Sequence, residues 1–314
     1  MNINVALSAD RNYCKLLATA MVSLFENNHE TESITVYCLL FKPGKDYINE
    51  IINLGKRYRR NIIVIETCRT CEKHRFWEQS EDGRYVRLLL PKLLDRVDKV
   101  LYLDCDVMIR RNLKDLFSID ISQYYHAAVL DTVRKNARME AYIDNLDTYF
   151  NSGVMLINLK KWREDDLVGK FKHFKLLHSD KGIYRDQRVL NGTTASNFLI
   201  LPPSYNFMPE FYQFTAKQIK EIAGTNQFYS QEEIDSSMKN PHIVHFSGRS
   251  IDRPWYSNSR HKYTEEYRSY MNLCSFTSYK LKHDKLRNVA MWNIKRFVPF
   301  PILKHLILRK NSVL

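Results

Sequence analysis

The sequence predicts an α/β protein whose central, mainly parallel sheet is flanked by helices. Short apolar runs rich in Val, Ile and Tyr alternate with longer stretches of helical periodicity through the first two thirds of the chain, and this alternation is typical of βαβ units. With 44% hydrophobic and 26% charged residues, the composition is that of a folded globular protein and excludes disorder as the main state. The 314 residues accommodate one α/β domain of about 250 residues with an appendage, or two domains of roughly 150 each.

The predicted elements follow one another in regular order. Apolar, β-branched runs predict six strands, at residues 3–8, 34–41, 62–66, 100–104, 127–131 and 154–159. Apolar residues at helical spacing predict helices, at residues 16–25, 47–58, 85–94 and 159–177. Residues 201–240 contain Pro202, Pro203 and Pro209 among many aromatic residues, and we expect a subdomain built partly from loops there.

The positive charge of the chain is concentrated at its C-terminal end. The formal net charge is +13, of which residues 280–314 carry +8 from nine Lys or Arg and one Asp. Because only +5 remains for the preceding residues, a nucleic-acid-binding surface across the body is disfavoured, and we expect no nucleic-acid partner. The basic residues interleave with large apolar ones such as Trp292, Phe300 and Leu306, a composition suited to an anionic membrane surface. A solvated helix covering part of the domain is the alternative.

We therefore expect a main domain at residues 1–256 and a basic, aromatic, helical tail at residues 257–314. The N-terminal segment, residues 1–8, has no basic stretch followed by an apolar run, so we expect no signal peptide. The longest apolar run in the tail, residues 297–303, falls far short of the roughly 20 residues that span a bilayer. These observations predict a cytoplasmic protein that lies peripherally on the inner face of the plasma membrane.

The six cysteines lie mostly in apolar or strand-like segments, which favours reduced core thiols over a disulfide framework. Cys68, Cys71 and His74 have a spacing that zinc ligands can adopt, but no second Cys/His pair follows at a suitable distance. We expect a loop with incidental thiols there, with a zinc site as the minor alternative.

Two carboxylates stand at the end of the fourth predicted strand. Asp104 and Asp106 follow the apolar run 99–103, and side chains two residues apart on a strand share one face. At the carboxyl end of a parallel strand, that face borders the ligand crevice of an open α/β sheet. Two adjacent carboxylates favour a hard divalent cation, which can also hold a diphosphate. The D-x-D motif alone is equally consistent with a solvated strand end.

Further polar groups occupy equivalent positions along the chain. Asn151 and Gly153 immediately precede a predicted strand, and a glycine permits close approach of a ligand to the backbone. Asp186 and Gln187 begin a helical segment, where helix capping is the alternative interpretation. His245 ends an apolar strand; a single histidine there is usually structural, but this one would complete a mixed carboxylate and imidazole metal site.

Six sequence blocks between Val5 and Tyr256 occur in one collinear order. They lie at residues 8–13 (SADRNY), 85–88 (YVRL), 100–106 (VLYLDCD), 150–159 (FNSGVMLINL), 186–191 (DQRVLN) and 245–255 (HFSGRSIDRPW). Together they resemble the retaining glycosyltransferases of family 8, and six blocks in one order are far more specific than any one of them. The resemblance implies a Rossmann-like GT-A fold, a UDP-hexose donor and Mn²⁺ or Mg²⁺ as the metal.

The resemblance also implies roles for individual residues. The residues that would receive uracil and ribose are Ser8, Asp10 and Asn12. The metal ligands would be Asp104, Asp106 and His245. The residues facing the donor sugar would be Arg87, Asn151, Asp186 and Gln187, of which Arg87, Asp186 and Gln187 would be catalytic. Gly248 would lie at the pyrophosphate, and Arg253 stands, after a longer gap, where the family usually has a Lys; its guanidinium can pair bidentately with phosphate.

The activity implied by the resemblance is the metal-dependent transfer of galactose or glucose from a UDP-sugar, with retention of the configuration at the anomeric carbon. The implied acceptor is a saccharide or lipid-linked oligosaccharide, in the synthesis of a cell-surface glycan such as lipopolysaccharide. Residues 201–240 would then lie on the acceptor side. Because Gln187 is a poor nucleophile, front-face attack by the acceptor hydroxyl is favoured over a covalent intermediate. A sugar nucleotidyltransferase is the nearest alternative, although residues 8–13 contain no glycine for a phosphate loop. A basic nucleic-acid-binding protein is less well supported, because the chain has no reader motif.

Overall fold

The computed structural model describes residues 2–67, 84–143, 145–178, 186–248, 250–274, 281–283 and 298–309. The strands are β1 (Asn2–Asp10), β2 (Ser33–Phe41), β3 (Asn61–Glu66), β4 (Lys99–Leu103), β5 (Val107–Ile109), β6 (His126–Leu130), β7 (Phe150–Asn158), β8 (Phe198–Ile200) and β9 (Ile243–His245). The helices are α1 (Cys14–Glu26), α2 (Lys45–Tyr58), α3 (Leu90–Leu93), α4 (Lys114–Ser118), α5 (Lys135–Met139), α6 (Leu159–Glu164), α7 (Leu167–Leu177), α8 (Asp186–Thr194), α9 (Glu210–Gln213), α10 (Ala216–Ala223), α11 (Gln231–Lys239), α12 (Thr264–Asn272) and α13 (Phe300–Arg309). Cys68, Cys71 and His74, the residues considered for zinc, lie outside the described residues.

The central sheet has the strand order β3-β2-β1-β4-β7-β6-β8. All neighbouring pairs are parallel except those of β7, which runs antiparallel to both β4 and β6. The predicted mainly parallel sheet flanked by helices is therefore confirmed. A second, two-stranded sheet pairs β5 with β9. Because β7 is reversed, its first residues lie at the edge where β4 and β6 end, and the amide of Asp104 donates to the carbonyl oxygen of Gly153 at 2.7 Å.

The six predicted strands are all present. Five of them have bounds within two residues of the predicted ones, whereas β7 begins four residues earlier than expected, at Phe150. The reason is that Phe150 pairs with Leu130 across the antiparallel ladder, so the polar residues Asn151 and Ser152 belong to the strand itself. A polar residue inside a strand hides it from a search for apolar runs.

Two predicted helices differ from the observed ones. The segment 159–177 forms α6 and α7 rather than one helix, since Asp166 adopts a left-handed conformation (φ 44°) and its side chain accepts the amide hydrogen of Gly169 at the start of α7. Residues 85–94 form a 3₁₀ helix, Arg84–Leu89, followed by α3. Proline at the start of α3 suits the first helical turn, where an amide hydrogen has no acceptor.

Residues 201–240 are more helical than predicted. They contain α9, α10 and α11, and the last two begin with capping boxes, in which Thr215 pairs with Gln218 and Ser230 pairs with Glu233. The pattern Ser/Thr-x-x-Glu/Gln before an apolar helix face marks a helix start. Loops connect these helices, as the prediction of a subdomain built partly from loops expects, but the prediction did not identify the helices themselves.

The C-terminal part of the described chain packs onto the domain in three places. Helix α12 lies against α1, where Asn27 Nδ2 donates to Tyr270 Oη at 2.8 Å, and Tyr267 is fully buried. The backbone of Lys282 bonds to Trp255 and Ser257. Helix α13 lies against α10 through an ion pair between Lys304 and Glu221 at 2.8 Å. The boundary after residue 256 remains a prediction. Among the described helices, none is long and apolar enough to cross a membrane.

Candidate active site

Three candidate metal ligands meet where β4 ends. Asp104 and Asp106 lie between β4 and β5, and His245 is the last residue of β9. The pairing of β5 with β9 sets Val107 opposite His245, which brings the imidazole beside the carboxylates. His245 Nε2 lies 3.3 Å from Asp106 Oδ1 and 4.0 Å from Asp104 Oδ2. One ligand atom from each residue lies within 4.8 Å of the others, so the three side chains form a possible metal site.

The charges of this cluster fit a divalent cation. Burial raises the pKa of Asp104, and the neighbouring Asp106 raises it further, although Arg87 acts in the opposite direction. Burial also acts to raise the pKa of Asp106, but the charge and hydrogen bond of His245 outweigh it and leave that pKa lowered. The two carboxylates, at 25% and 19% side-chain exposure, remain open to solvent on one side. Carboxylate oxygens with one imidazole are a donor set that Mn²⁺ or Mg²⁺ accepts.

Arg87 joins the cluster to Asp186. It projects from the 3₁₀ helix before α3, and its guanidinium contacts Asp104 Oδ1 at 2.8 Å and Asp186 Oδ2 at 2.6 Å. It also donates to the carbonyl oxygen of Ser152 at 2.8 Å and lies over the ring of Tyr102. Burial opposes the charge of this guanidinium, but the two carboxylates more than compensate and raise the pKa of Arg87. The planar group therefore holds two acidic side chains in fixed positions.

Gly153 fills a position that a larger residue could not. A Cβ added there would lie 2.3 Å from His245 Cε1 and 2.9 Å from Asp104 Oδ2. The sequence suggested that a ligand approaches the backbone at this glycine, whereas the space is taken by two of the candidate metal ligands. The glycine thus permits His245 and Asp104 to converge over the start of β7.

Asp186 and Gln187 point into the site from the first turn of α8. The carboxylate of Asp186 contacts Arg87, as described above. Gln187 Oε1 accepts from the amide of Ser152 at 3.0 Å and from its hydroxyl at 3.2 Å, while Gln187 Nε2 donates to Asp131 Oδ2 at 2.8 Å. Arg87 therefore orients Asp186, while Ser152 on β7 and Asp131 at the end of β6 orient Gln187.

Two buried residues complete the site and were not predicted from the sequence. Asp131, at the end of β6, accepts from Asn151 Nδ2 at 2.9 Å in addition to Gln187. Asn206 is fully buried, lies 2.9 Å from His245 Nδ1 through its Oδ1, and donates to Asn151 Oδ1 at 2.9 Å. An acid at a strand end, the signal used for Asp104, was also present at Asp131. For Asn206 the surrounding sequence gives no such signal.

The residues predicted to receive the nucleoside lie at the end of β1. Ser8 Oγ and Tyr102 Oη are 2.8 Å apart, and Tyr102 Oη donates to Asp104 Oδ1 at 3.2 Å. Asp10 Oδ1 accepts from the amides of Asn12 and Tyr13, at 2.8 and 3.1 Å. This turn leaves the side chain of Asn12 exposed. The three predicted residues therefore lie together at the carboxyl end of β1, just before the start of α1.

Gly248 and Arg253 lie together on the loop after β9. Arg253 Nε donates to the carbonyl oxygen of Gly248 at 3.1 Å, and its charge helps to lower the pKa of Asp106. A Cβ at Gly248 would come within 2.9 Å of Pro209 Cγ and 3.1 Å of Asp252 Oδ2. Arg249, a further candidate for phosphate contact, lies outside the described residues. Arg253 thus supplies positive charge beside the candidate metal site despite its altered spacing.

The fold and this acidic strand-end site are those of a GT-A glycosyltransferase. The family model described as glycosyl transferase family 8 matches residues 4–259, and the chain belongs to that family. General stress protein A of Bacillus subtilis (strain 168) is 27% identical over 276 residues, covering 86% of this chain and 93% of the relative. A lipopolysaccharide 1,2-glucosyltransferase of Escherichia coli is 29% identical over 283 residues, covering 86% and 78%.

Solved structures agree on the fold. The galactosyltransferase LgtC, in complex with donor and acceptor sugar analogs, superposes with a TM-score of 0.68 at 23% identity, over 88% of this chain and 98% of that one. The glycosyltransferase GlyE of Streptococcus pneumoniae TIGR4 gives a TM-score of 0.63 at 24% identity, over 89% and 61%. The chain is therefore a family 8 glycosyltransferase with the GT-A fold.

Proposed function

We propose that this enzyme transfers galactose or glucose from a UDP-sugar to a saccharide acceptor, with retention of configuration and with a divalent cation, Mn²⁺ or Mg²⁺. The observation that carries the proposal is the convergence of Asp104, Asp106 and His245 to within 4.8 Å of one another at the carboxyl end of β4. This set of donors supports a metal that binds a diphosphate at the same edge of the sheet.

The donor nucleotide would lie along the rim from β1 to the loop after β9. Ser8, Asp10 and Asn12 would receive the uracil and ribose, and Gly248 and Arg253 would lie at the pyrophosphate. Asp104, Asp106 and His245 would hold the cation, which when bound supplies Lewis-acid stabilisation of charge on the departing UDP. Arg253 would add a guanidinium that can bond to phosphate oxygens in a fixed, planar geometry.

The hexose would lie against Arg87, Asn151, Asp186 and Gln187. Arg87 fixes the Asp186 carboxylate, so that this acceptor group is ready to receive a sugar hydroxyl. Both ends of the Gln187 amide are engaged, since its oxygen accepts from Ser152 and its nitrogen donates to Asp131. An amide oxygen already used in this way is a poor nucleophile, which supports front-face attack by the acceptor hydroxyl rather than a covalent intermediate.

Release of UDP from UDP-galactose and UDP-glucose, with and without the acceptor, tests the proposal. We expect turnover with Mn²⁺, loss of turnover with EDTA, and at least a ~100-fold decrease for Asp104→Asn and His245→Ala, since a Lewis-acid contribution of several kcal/mol is removed. Asp235→Asn, at an exposed position on α11, is the matched control and should leave turnover unchanged. Near-normal turnover of the two site variants in EDTA would show that the metal role is wrong.

The acceptor would be a saccharide or lipid-linked oligosaccharide of a cell-surface glycan, as the name of the lipopolysaccharide glucosyltransferase relative suggests. The enzyme would then act in the cytoplasm, peripherally on the inner face of the plasma membrane. Support comes from α13, which packs onto the domain through Lys304 but exposes Ile302 by 56% and Leu306 by 48%. The sequence of the tail is rich in basic residues, which suits an anionic surface.

Sedimentation with vesicles tests the membrane proposal. We expect the full chain to bind phosphatidylglycerol vesicles and to bind phosphatidylcholine vesicles much less, because the tail is basic. The double variant Ile302→Ser and Leu306→Ser should reduce this binding, whereas Ile200→Ser, at a residue 46% exposed on β8, should not. Equal binding of the double variant and the wild type would contradict the role of α13.

A further inference from the structure

A chain of buried hydrogen bonds leads from Asp131 to His245. Its members are Asp131, Asn151, Asn206 and His245, each less than one tenth exposed. Successive bonds measure 2.9 Å from Asn151 Nδ2 to Asp131 Oδ2, 2.9 Å from Asn206 Nδ2 to Asn151 Oδ1, and 2.9 Å between Asn206 Oδ1 and His245 Nδ1. Buried amides that satisfy each other in this way have one allowed orientation.

The orientation of Asn151 is fixed by groups whose roles cannot change. The amide hydrogen of Gly153 points at one end of the Asn151 side chain, 3.0 Å away. A backbone N–H only donates, so this end must be the oxygen. The nitrogen then faces Asp131 Oδ2, a carboxylate oxygen that also accepts from Gln187. The partners at both ends of the Asn151 side chain therefore agree on which atom is oxygen and which is nitrogen.

The orientation of Asn206, and with it the protonation of His245, follows from that assignment. Because Asn151 Oδ1 accepts, Asn206 must turn its nitrogen toward it and its oxygen toward His245. A carbonyl oxygen accepts only, so His245 Nδ1 must carry a hydrogen. The other ring nitrogen, Nε2, faces Asp106 at 3.3 Å and Asp104 at 4.0 Å, which is where a metal ligand is needed.

We propose that Asn206 is a positioning residue that keeps the hydrogen of His245 on Nδ1 and so presents the Nε2 lone pair to the cation. This inference rests on the metal site of the proposed function. A histidine ligand bound through one nitrogen needs an acceptor for the hydrogen on the other, which fixes both the tautomer and the plane of the ring. Here the acceptor is the neutral side-chain amide of Asn206, and its orientation is set by Asn151 at the start of β7.

Two substitutions of Asn206 separate this role from simple packing. Asn206→Leu removes the acceptor, whereas Asn206→Asp keeps an acceptor for the Nδ1 hydrogen but cannot donate to Asn151. The matched control is Asn28→Leu, because Asn28 is equally buried and bonds to Leu24 and Leu113 at the far end of α1. The control measures the general cost of losing a buried amide.

The first readout is nitrogen NMR of ¹⁵N-histidine-labelled full chain loaded with ¹¹³Cd²⁺, a diamagnetic substitute for Mn²⁺, with the His245→Gln variant used for assignment. We expect cadmium coupling to Nε2 of His245 and a hydrogen on Nδ1 that exchanges slowly with water. Asn206→Leu should make that exchange fast, and Asn206→Asp should keep it slow. Coupling of cadmium to Nδ1, or unchanged slow exchange in Asn206→Leu, would overturn the proposal.

The second readout is the affinity for Mn²⁺ alone, measured by electron paramagnetic resonance. We expect Asn206→Leu to bind about 10–100-fold more weakly than the wild type, Asn206→Asp to stay nearer the wild type, and Asn28→Leu to match it. Equal losses in Asn206→Leu and Asn28→Leu would also overturn the proposal. Neither readout uses a sugar nucleotide, so failure of the wild type to turn over UDP-sugars would reject the proposed function while leaving this result intact.

Discussion

Substitution of Gly153 by alanine is a direct test of how the candidate metal site is built. The added Cβ would lie 2.3 Å from His245 Cε1, whereas ordinary contacts between carbon atoms are about 3.5–4.0 Å. His245 must therefore shift by roughly 1 Å, and metal sites tolerate departures of only about 0.2 Å in ligand distances. Since Asp104 Oδ2 would lie 2.9 Å from the same Cβ, two of the three ligands would be displaced.

The expected consequence is a loss of function that exceeds the loss of stability. A misplacement of about 1 Å in an active site can reduce turnover by ~100-fold, and overpacking a core position costs about 1–3 kcal/mol in the free energy of unfolding. We expect Gly153→Ala to lower Mn²⁺-dependent UDP release by about 100-fold and to weaken Mn²⁺ binding, while thermal unfolding remains cooperative.

The assay compares three proteins. Mn²⁺ affinity, UDP release and the unfolding temperature are measured for the wild type, Gly153→Ala and Gly44→Ala. Gly44 is the control because its added Cβ would meet Tyr47 Cδ2 at 3.5 Å, an ordinary contact, and its backbone conformation (φ −77°) suits alanine. If Gly153→Ala bound Mn²⁺ and released UDP like the control, His245 and Asp104 would not be acting together as ligands.

Three further predictions concern His126, the cap of α11 and Arg87. Burial lowers the pKa of His126 to about 3, so folding requires the neutral ring: stability is complete above the ordinary pKa of 6.5 and is lost as pH falls from there toward 3. Between pH 7 and 5, the free energy of unfolding measured in urea should decrease by about 2 kcal/mol less for His126→Phe than for the wild type. Equal decreases in the two proteins would contradict this reasoning. Ser230→Ala should destabilise the fold by about 1 kcal/mol through the cap of α11, with UDP release unaffected. Arg87→Met should lower the free energy of unfolding by about 3–5 kcal/mol, because Asp104 and Asp186 lose the guanidinium that they share. Added Mn²⁺ should raise the unfolding temperature of this variant part of the way back to that of the wild type. If Mn²⁺ had no such effect, metal binding at Asp104 would be contradicted.

The sheet and the acidic centre of the site could be predicted because each depends on a local pattern. Apolar runs located six strands to within a few residues of their observed bounds. The position of Asp104 and Asp106 directly after β4 marked them as candidate metal ligands. The break at Asp166 could not be predicted, since a left-handed aspartate leaves little trace in the hydrophobic periodicity of residues 159–177. Helices α10 and α11 were predictable from their capping boxes.

Asn206 illustrates a residue that sequence reasoning cannot reach. Its neighbours in the chain are aromatic and proline residues, and the Pro203–Tyr205 helix before it says nothing about a partner 39 positions away at His245. Its role depends on the parallel bridge between Phe207 and Val244, which brings this segment alongside β9. Contacts between segments so distant in sequence are set by topology, which a local pattern does not encode.

The reversed strand β7 explains how the site forms in a sheet that is otherwise parallel. In a wholly parallel sheet, each strand brings only the residues after its carboxyl end to the ligand edge. An antiparallel strand between β4 and β6 brings its first residues there instead, so Asn151 and Gly153 stand between Asp104 on one side and Asp131 on the other. Gly153 leaves the space that the side chain of His245 occupies. Asn151 orients the side-chain amide of Asn206, which in turn bonds to the ring of His245. One strand reversal thus couples the candidate metal ligands to Gln187 through Asp131, so we expect substitutions at Asn151 to change Mn²⁺ affinity and UDP release together.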